Sequence, residues 1–273
     1  MCGKNELEYF AKKYSVTTRT LHNWFKDFWV EEILPKNLSI SNQIVIIDGF
    51  VLENGAVLLL AKTKTKVVSW KFVKRETYNN WKEFFEQLKG HPDVIVCDGQ
   101  KGMLKAIKEI FPRAIIQRCQ FHILQRTRIL LTRNPETIAA IEIKKIIEMI
   151  TRIQTRKQLK RFLDEYVNWK NKYKEYLKEK TYIPFNTEYI YKNYHNGKRK
   201  WFYTHKRLRG ADYQLKTALP NLFCYLNNEN IPNTTNHVEG GINSHLKLLL
   251  RLHRGLPIDK RKYLIANFLS QKQ

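Results

Sequence analysis

The sequence predicts an α/β protein: a mixed-sheet core with a large all-helical insertion, preceded by a helix-turn-helix. Three observations carry this. From residue 43, short runs of branched apolar residues alternate with turn-like stretches. After about residue 123 those runs stop, and long amphipathic patterns replace them. Ahead of both lie two short helical patterns joined by "YSV".

The first pair of helices falls within residues 6–28, as "ELEYFAKKY" and "TTRTLHNWFKDF". Leu7, Phe10, Ala11 and Tyr14 mark an apolar face on one, and Leu21, Trp24, Phe25 and Phe28 on the other. Thr17 suits an N-cap, because its hydroxyl can accept from an unpaired first-turn amide. Arg19, Thr20, His22, Asn23 and Lys26 point the other way, as on a recognition helix in a major groove. An ordinary helical hairpin with a solvated face fits the same pattern. "LPKNLSISN" at 34–42 reads as a linker.

"QIVIIDGF" (43–50), "GAVLLLAKT" (55–63) and "KVVSWKFV" (66–73) then predict three closely spaced strands, an antiparallel meander. "TYNNWKEFFEQLKG" (77–90) predicts a helix burying Trp81, Phe84, Phe85 and Leu88, with Gly90 as its stop. "DVIVCDG" (93–99) is apolar without alternation, as in a strand covered on both faces. "QKGMLKAIKEIF" (100–111) is helical, and "RAIIQRCQFH" (113–122) is a strand running into a helix. Three strands, helix, strand, helix, strand is the order of an RNase H-like fold.

In the insertion, Leu159, Phe162, Leu163, Tyr166, Trp169, Tyr173 and Tyr176 form one stripe along a long helix, read as core. Between 191 and 216 basic and aromatic residues interleave: Lys192, Lys198, Arg199, Lys200, Lys206, Arg207, Arg209 and Lys216 with Tyr191, Tyr194, Trp201, Phe202, Tyr203 and Tyr213. Such alternation suits phosphate tracking with stacking platforms. A last helical stretch is expected over 213–228.

Charge narrows the partner. The 273 residues hold 49 Lys and Arg against 25 Asp and Glu, a net +24. That predicts a polyanion, first of all nucleic acid, whose binding is driven by counterion release. A membrane is not expected, since the longest aliphatic run, "AVLLLA" at 56–61, is far too short to span one. "MCGKNELEYF" has no apolar core of a secretory signal, and Cys2, Cys97, Cys119 and Cys224 form no CxxC pair. A reducing, cytoplasmic location follows.

Three carboxylates stand out against this background. Asp48 and Asp98 each close an apolar strand and each precede a glycine. An acidic side chain there is costly unless it is solvated, paired or bound to a cation. Asp-Gly is also a turn signal. Glu239 is the third, at the start of an amphipathic helix whose apolar positions are Val238, Ile242, Leu246, Leu249 and Leu250. Gly240 and Gly241 follow it, although each glycine costs a helix about 1 kcal/mol. A capping box from Asn236 to Glu239 would explain the glutamate and leave the glycines unexplained. Three hard oxygen donors on one edge suit Mg²⁺ or Mn²⁺. Two such ions can activate a hydroxyl and stabilise the leaving oxygen of a phosphodiester displacement.

The chain resembles DDE-type insertion-sequence transposases of the bacterial Mutator-like group. The resemblance rests, in order, on "IIDGF", "VCDGQKG", "PRAIIQRCQFH", "LPNLFCYL", "IPNTTNHVEGGINSHLK" and "HRGL". It implies an RNase H-like catalytic core at 35–123 and 231–257, split by a helical insertion at 124–230. Residues 1–34 then form the helix-turn-helix segment and 258–273 a C-terminal tail. Asp48, Asp98 and Glu239 match the family's metal-binding triad, holding two ions per active site. The glycines would leave the helix thin where DNA comes close. Cys119 and His122 match its Cys-x-x-His signature, as support for the site or for nearby DNA; half a zinc site is the other reading. Asn236 and His237 flank the glutamate, and His253 and Arg254 stand in "HRGL" as DNA-proximal candidates, although Gly255 and Pro257 also suit a helix end. The family implies terminal inverted repeats and target DNA as partners, and a homodimer or larger assembly on them in the nucleoid. Relatives often carry a longer N-terminal region, sometimes with a zinc ribbon; an active copy and a truncated or degenerate one are both open readings. A non-catalytic DNA-binding protein and a metal-dependent nuclease without strand transfer are the competing readings.

Overall fold

The computed structural model describes residues 7–26, 29, 32–52, 55–182, 201–235 and 241–273. Expectations resting on Phe28, Tyr191, Lys192, Tyr194, Lys198, Arg199, Lys200, Asn236, His237, Val238, Glu239 and Gly240 lie outside the described residues. The chain forms two compact units, 1–116 with 234–273, and 117–233.

In the first unit, α1 (Leu7–Lys13) and α2 (Thr18–Trp24) are joined by a turn with Ser15 at φ 52°. Thr17 caps α2 as expected, its hydroxyl accepting from the Thr20 amide at 3.1 Å. The apolar faces are only partly used. Ala11 and Leu21 are buried, whereas Leu7, Tyr14, Trp24 and Phe25 stay exposed.

The meander follows: β1 (Ile44–Leu52), β2 (Ala56–Lys62) and β3 (Val67–Val73), paired antiparallel. Next come α3 (Tyr78–Glu86), β4 (Val94–Cys97), α4 (Lys101–Ile110) and β5 (Ile115–Arg118). The strand order is β3-β2-β1-β4-β5, and β4 runs parallel to β1. Thr77 and Gln100 cap the two helices, with side chains accepting from Asn80 and Met103 amides. Gly90 sits at φ 89°, a left-handed conformation that disfavours any side chain.

One face of this sheet packs Val45, Ile47, Leu59, Ile95 and Cys97 against Trp81, Phe84, Phe85, Met103 and Ile107. The expected linker belongs to that core. Ile40 is wholly buried and its amide donates to the Lys89 carbonyl at 2.8 Å. On the other face lie Ile46, Asp48, Phe50, Leu58, Leu60 and Trp70, since side chains alternate along each strand. The unit closes with α9 (Ser244–Leu252) and α10 (Ile258–Ser270). The stretch expected as a tail is thus largely helix. It buries Ile265 and Leu269, and the Lys272 carbonyl accepts from the Val67 amide at 2.9 Å.

The second unit contains α5 (Gln120–Leu131), α6 (Ile138–Glu148), α7 (Arg156–Lys172) and α8 (Lys206–Ala218). A Thr155–Gln158 capping box starts α7. Its stripe is core as read: Phe162, Tyr166 and Trp169 are buried, with Leu159, Leu163, Tyr173 and Tyr176 packed beside them. The insertion is not all-helical. β6 (Lys180–Tyr182) and β7 (Trp201–Tyr203) form an antiparallel pair, which aromatic and β-branched residues at facing positions stabilise. The helix expected over 213–228 ends at Ala218, and 3-10 turns continue at Leu219–Asn221 and Cys224–Leu226. A buried glutamine organises them. Gln117 donates to the Leu222 carbonyl at 2.9 Å and accepts from the Tyr225 amide at 3.2 Å.

Candidate active site

Asp48 does not close its strand. It lies in the middle of β1, which continues to Leu52. What ends near it is the parallel pairing, which the structure records up to Ile46 opposite Val96. Asp48 and Asp98 each lie two residues beyond that last recorded pair.

The two aspartates differ in surroundings. Asp48 is 6% exposed, and its antiparallel neighbours across the sheet are Leu60 and then Trp70, both buried. A carboxylate in such a row holds its charge only with donors or a cation to replace water. One donor is Asn243, whose Nδ2 lies 2.8 Å from Asp48 Oδ2. Asp98 is half-buried, one residue past β4. Its Oδ1 accepts from the Gln100 amide at 2.9 Å, an Asx turn that orients the carboxylate. The turn needs Gly99, which sits at φ 85°. Gln100 then ties the turn to the neighbouring loop, donating to the Glu76 carbonyl at 3.0 Å.

Glu76 and Asn243 were not singled out from the sequence. A Cβ placed on Gly49 would fall 2.5 Å from Glu76 Oε1, so the glycine after Asp48 makes room for that carboxylate. Gly49 alternates with Asp48, so Glu76 covers the opposite face of β1. The Glu76–Gly49 contact has no local sequence signal. Asn243 had one weak signal, a polar residue early in an apolar-striped helix.

The donor set fits a hard divalent cation. Carboxylates match Mg²⁺, which takes one or two and completes its shell with water and substrate phosphate oxygens. Among the described residues no group of three or more His, Cys, Asp or Glu side chains could hold a metal ion. Glu239, the expected third ligand, lies outside them. Gly241 is described, and a Cβ there would meet nothing within 4 Å. The chain's own packing therefore does not require a glycine at that position. Beyond α9, Arg261 holds the "HRGL" turn through Nε to the Leu256 carbonyl at 2.8 Å and through Nη2 to the Arg254 carbonyl. The Arg254 side chain is exposed and His253 is half-buried.

In the second unit, Cys119 is fully buried at the N-cap of α5 and His122 is half-buried one turn on. Of the expected DNA-contacting residues there, Arg207 is exposed on α8. Arg209 is engaged within the unit, its guanidinium 3.5 Å from the Tyr203 ring centroid and bonded to the Leu177 carbonyl. Lys180 sits 4.1 Å over the Trp201 ring. In the first unit, Arg19, His22, Asn23 and Lys26 are exposed on or just after α2, while Thr20 is half-buried against Thr17. No described helix is long and apolar enough to cross a membrane.

The family model described as "Transposase, Mutator family" matches residues 16–198, a span that contains both Asp48 and Asp98. The "Transposase for insertion sequence element ISRM5" of Rhizobium meliloti (strain 1021) is 33% identical over 66 residues, covering 23% of this chain. The matched part is 17% of that relative's length.

Proposed function

The chain belongs to the Mutator family of transposases, and on that premise we propose that it binds the ends of its element, cleaves them and joins the freed 3′-OH to target DNA. The observation that supports this reading is the parallel pairing of β1 with β4, recorded up to Ile46 opposite Val96, two residues before each aspartate. The strand order, three antiparallel strands with a parallel fourth beside the first, supports an RNase H-like core.

Asp48, Asp98 and Glu239 would hold two Mg²⁺ or Mn²⁺ ions, which supply Lewis acidity to the scissile phosphate and lower the pKa of the attacking hydroxyl. The chain's own residues do the rest. Asn243 and the Gln100 amide fix the two aspartates before substrate arrives. The open side of Gly241 leaves room for a DNA backbone. In the first step water attacks phosphorus, the P–O3′ bond breaks and the 3′-OH departs. In the second that 3′-OH attacks a target phosphate and displaces the target strand's own 3′ oxygen. α1 and α2 serve as the helix-turn-helix that reads the ends, through Arg19, His22, Asn23 and Lys26. Arg207 and the basic stretch around Lys198, Arg199 and Lys200 track phosphates, as a net charge of +24 favours. The assembly on DNA is a dimer or larger, in the bacterial nucleoid.

The test is Mg²⁺-dependent nicking of DNA carrying the inverted repeats that flank the gene. Wild type should nick it, while Asp48→Asn, Asp98→Asn and Glu239→Gln should bind it without nicking. Wild-type binding with no nicking would point instead to a DNA-binding protein without catalysis. Glutamine also serves in a capping box, so full activity of Glu239→Gln would remove that residue from the metal site.

A further inference from the structure

We infer that Asn243 is the positioning residue for Asp48, holding its carboxylate in the orientation that receives the cation. The inference rests on the metal-binding role proposed above for Asp48. Asn243 lies beyond the matched family span, and the resemblance gives it no role within the motif that contains it.

Asparagine immediately before a helix normally turns its side chain onto a first-turn amide. Asn243 precedes α9 and makes no such bond; its backbone is already helical, at φ −64° and ψ −33°. Its Nδ2 instead reaches Asp48, 195 positions earlier in the chain. The orientation of the amide follows from chemistry, since an ionised carboxylate only accepts and so requires the NH₂ group. At 2.8 Å, with both side chains 6% exposed, this is a charge-assisted bond shielded from water.

The backbone is arranged for this reach. Residues 241–243 form a π-helical turn, a wide turn that swings side chains away from their α-helical directions and recurs at functional sites. Ile242 in the same turn is buried, so the segment is anchored as it presents Asn243.

The second observation concerns the other end of the amide. Asn243 Oδ1 is buried and has no hydrogen-bond partner among the described residues. Folding alone disfavours an orphaned acceptor of this kind, and such groups in folded proteins call for an explanation. A donor that arrives with the ligand, such as a water carried on a hydrated cation, supplies one. A purely structural asparagine would place both ends of its amide in bonds within the fold.

The experiment measures Mn²⁺ binding to the full chain by calorimetry for wild type, Asp48→Asn, Asn243→Ala and Asn243→His, with metal-free unfolding midpoints alongside. Histidine keeps a ring N–H donor and guards against a cavity defect in the alanine variant. Asn243→Ala should bind Mn²⁺ about 10–100-fold more weakly, the usual cost of losing a group that orients a ligand. Half-saturating Mg²⁺ for nicking should rise by the same factor, with the maximal rate largely restored at high Mg²⁺. Asn243→His should recover part of the affinity. Unchanged Mn²⁺ affinity in both variants, with only a lowered midpoint, would reduce Asn243 to a structural role. If wild type binds no Mn²⁺, or Asp48→Asn binds it equally well, the metal role of Asp48 fails instead.

Discussion

Replacing Asp48 by asparagine should stabilise the metal-free protein while abolishing its chemistry. Were the β1/β4 pairing to continue as far as Asp98, the two carboxylates would stand about 5 Å apart and repel by about 3 kcal/mol at an effective dielectric of 20. Asp98 is half-exposed, and solvent screening should roughly halve that figure. Against it stands the Asn243 bond, which weakens by about 1 kcal/mol when its acceptor loses its charge. The balance is about 0.5–1 kcal/mol in favour of the variant, before counting relief from burying a charge in the Leu60–Trp70 row. In thermal unfolding with EDTA, Asp48→Asn should therefore melt level with wild type or a few degrees higher. Mg²⁺ at a hundredfold excess over its Kd should add about 2.7 kcal/mol to wild type and nothing to the variant. Nicking should fall by more than the roughly hundredfold cost of losing a merely supporting group. A variant that loses several kcal/mol without metal, or nicks at the wild-type rate, would refute the reasoning.

Gly99→Ala forces a side chain into φ 85°, which should cost about 1–2 kcal/mol in denaturant unfolding and misplace Asp98, lowering nicking. Gly241→Ala should raise stability by about 0.5–1 kcal/mol, since nothing lies within 4 Å of the new Cβ, yet lower nicking; unchanged nicking would show that DNA does not need that space. In the second unit the Tyr166 hydroxyl donates to Asp212 at 2.7 Å, so Tyr166→Phe should cost about 1.5–3 kcal/mol at neutral pH. Burial, and then the Asp212 bond, raise the Tyr166 pKa above its unfolded value near 10. That stabilisation is complete below pH 10 and is lost as pH rises further, because the unfolded chain releases its proton first. Denaturation across pH 8–12 should show a shallower alkaline decline in the variant, with part of the remainder due to Tyr225, also raised by burial, and to Tyr78, raised by its bond to Glu109. Alanines at Lys198, Arg199 and Lys200 should weaken binding to all DNA sequences and flatten the salt slope, whereas deleting 1–34 should reduce discrimination between end and random DNA. A sequence-restricted loss in the first case, or unchanged discrimination in the second, would overturn those assignments.

Periodicity and composition determined the local elements of this protein by themselves. Three branched-apolar runs became β1, β2 and β3, and the aromatic stripe of α7 became core, because burying a 2- or 3.6-residue repeat leaves little choice of conformation. Thr17 capped its helix because a cap is a contact between residues three apart. Asp48 and Asp98 were legible as isolated charges in apolar surroundings, and a charge of +24 set the expectation of a polyanion. Contacts between distant residues were legible only in the tertiary structure. The parallel register beside Asp48, Glu76 over Gly49, and Asn243 on Asp48 each join segments whose local patterns are unrelated. The same holds for Ile40, which reads as linker and packs as core, and for Arg209, which reads as a DNA contact and lies over Tyr203. The exposed faces of α1 and α2 show the reverse limit: an apolar stripe encodes a demand for burial, and only the packing of the whole chain decides whether it is met.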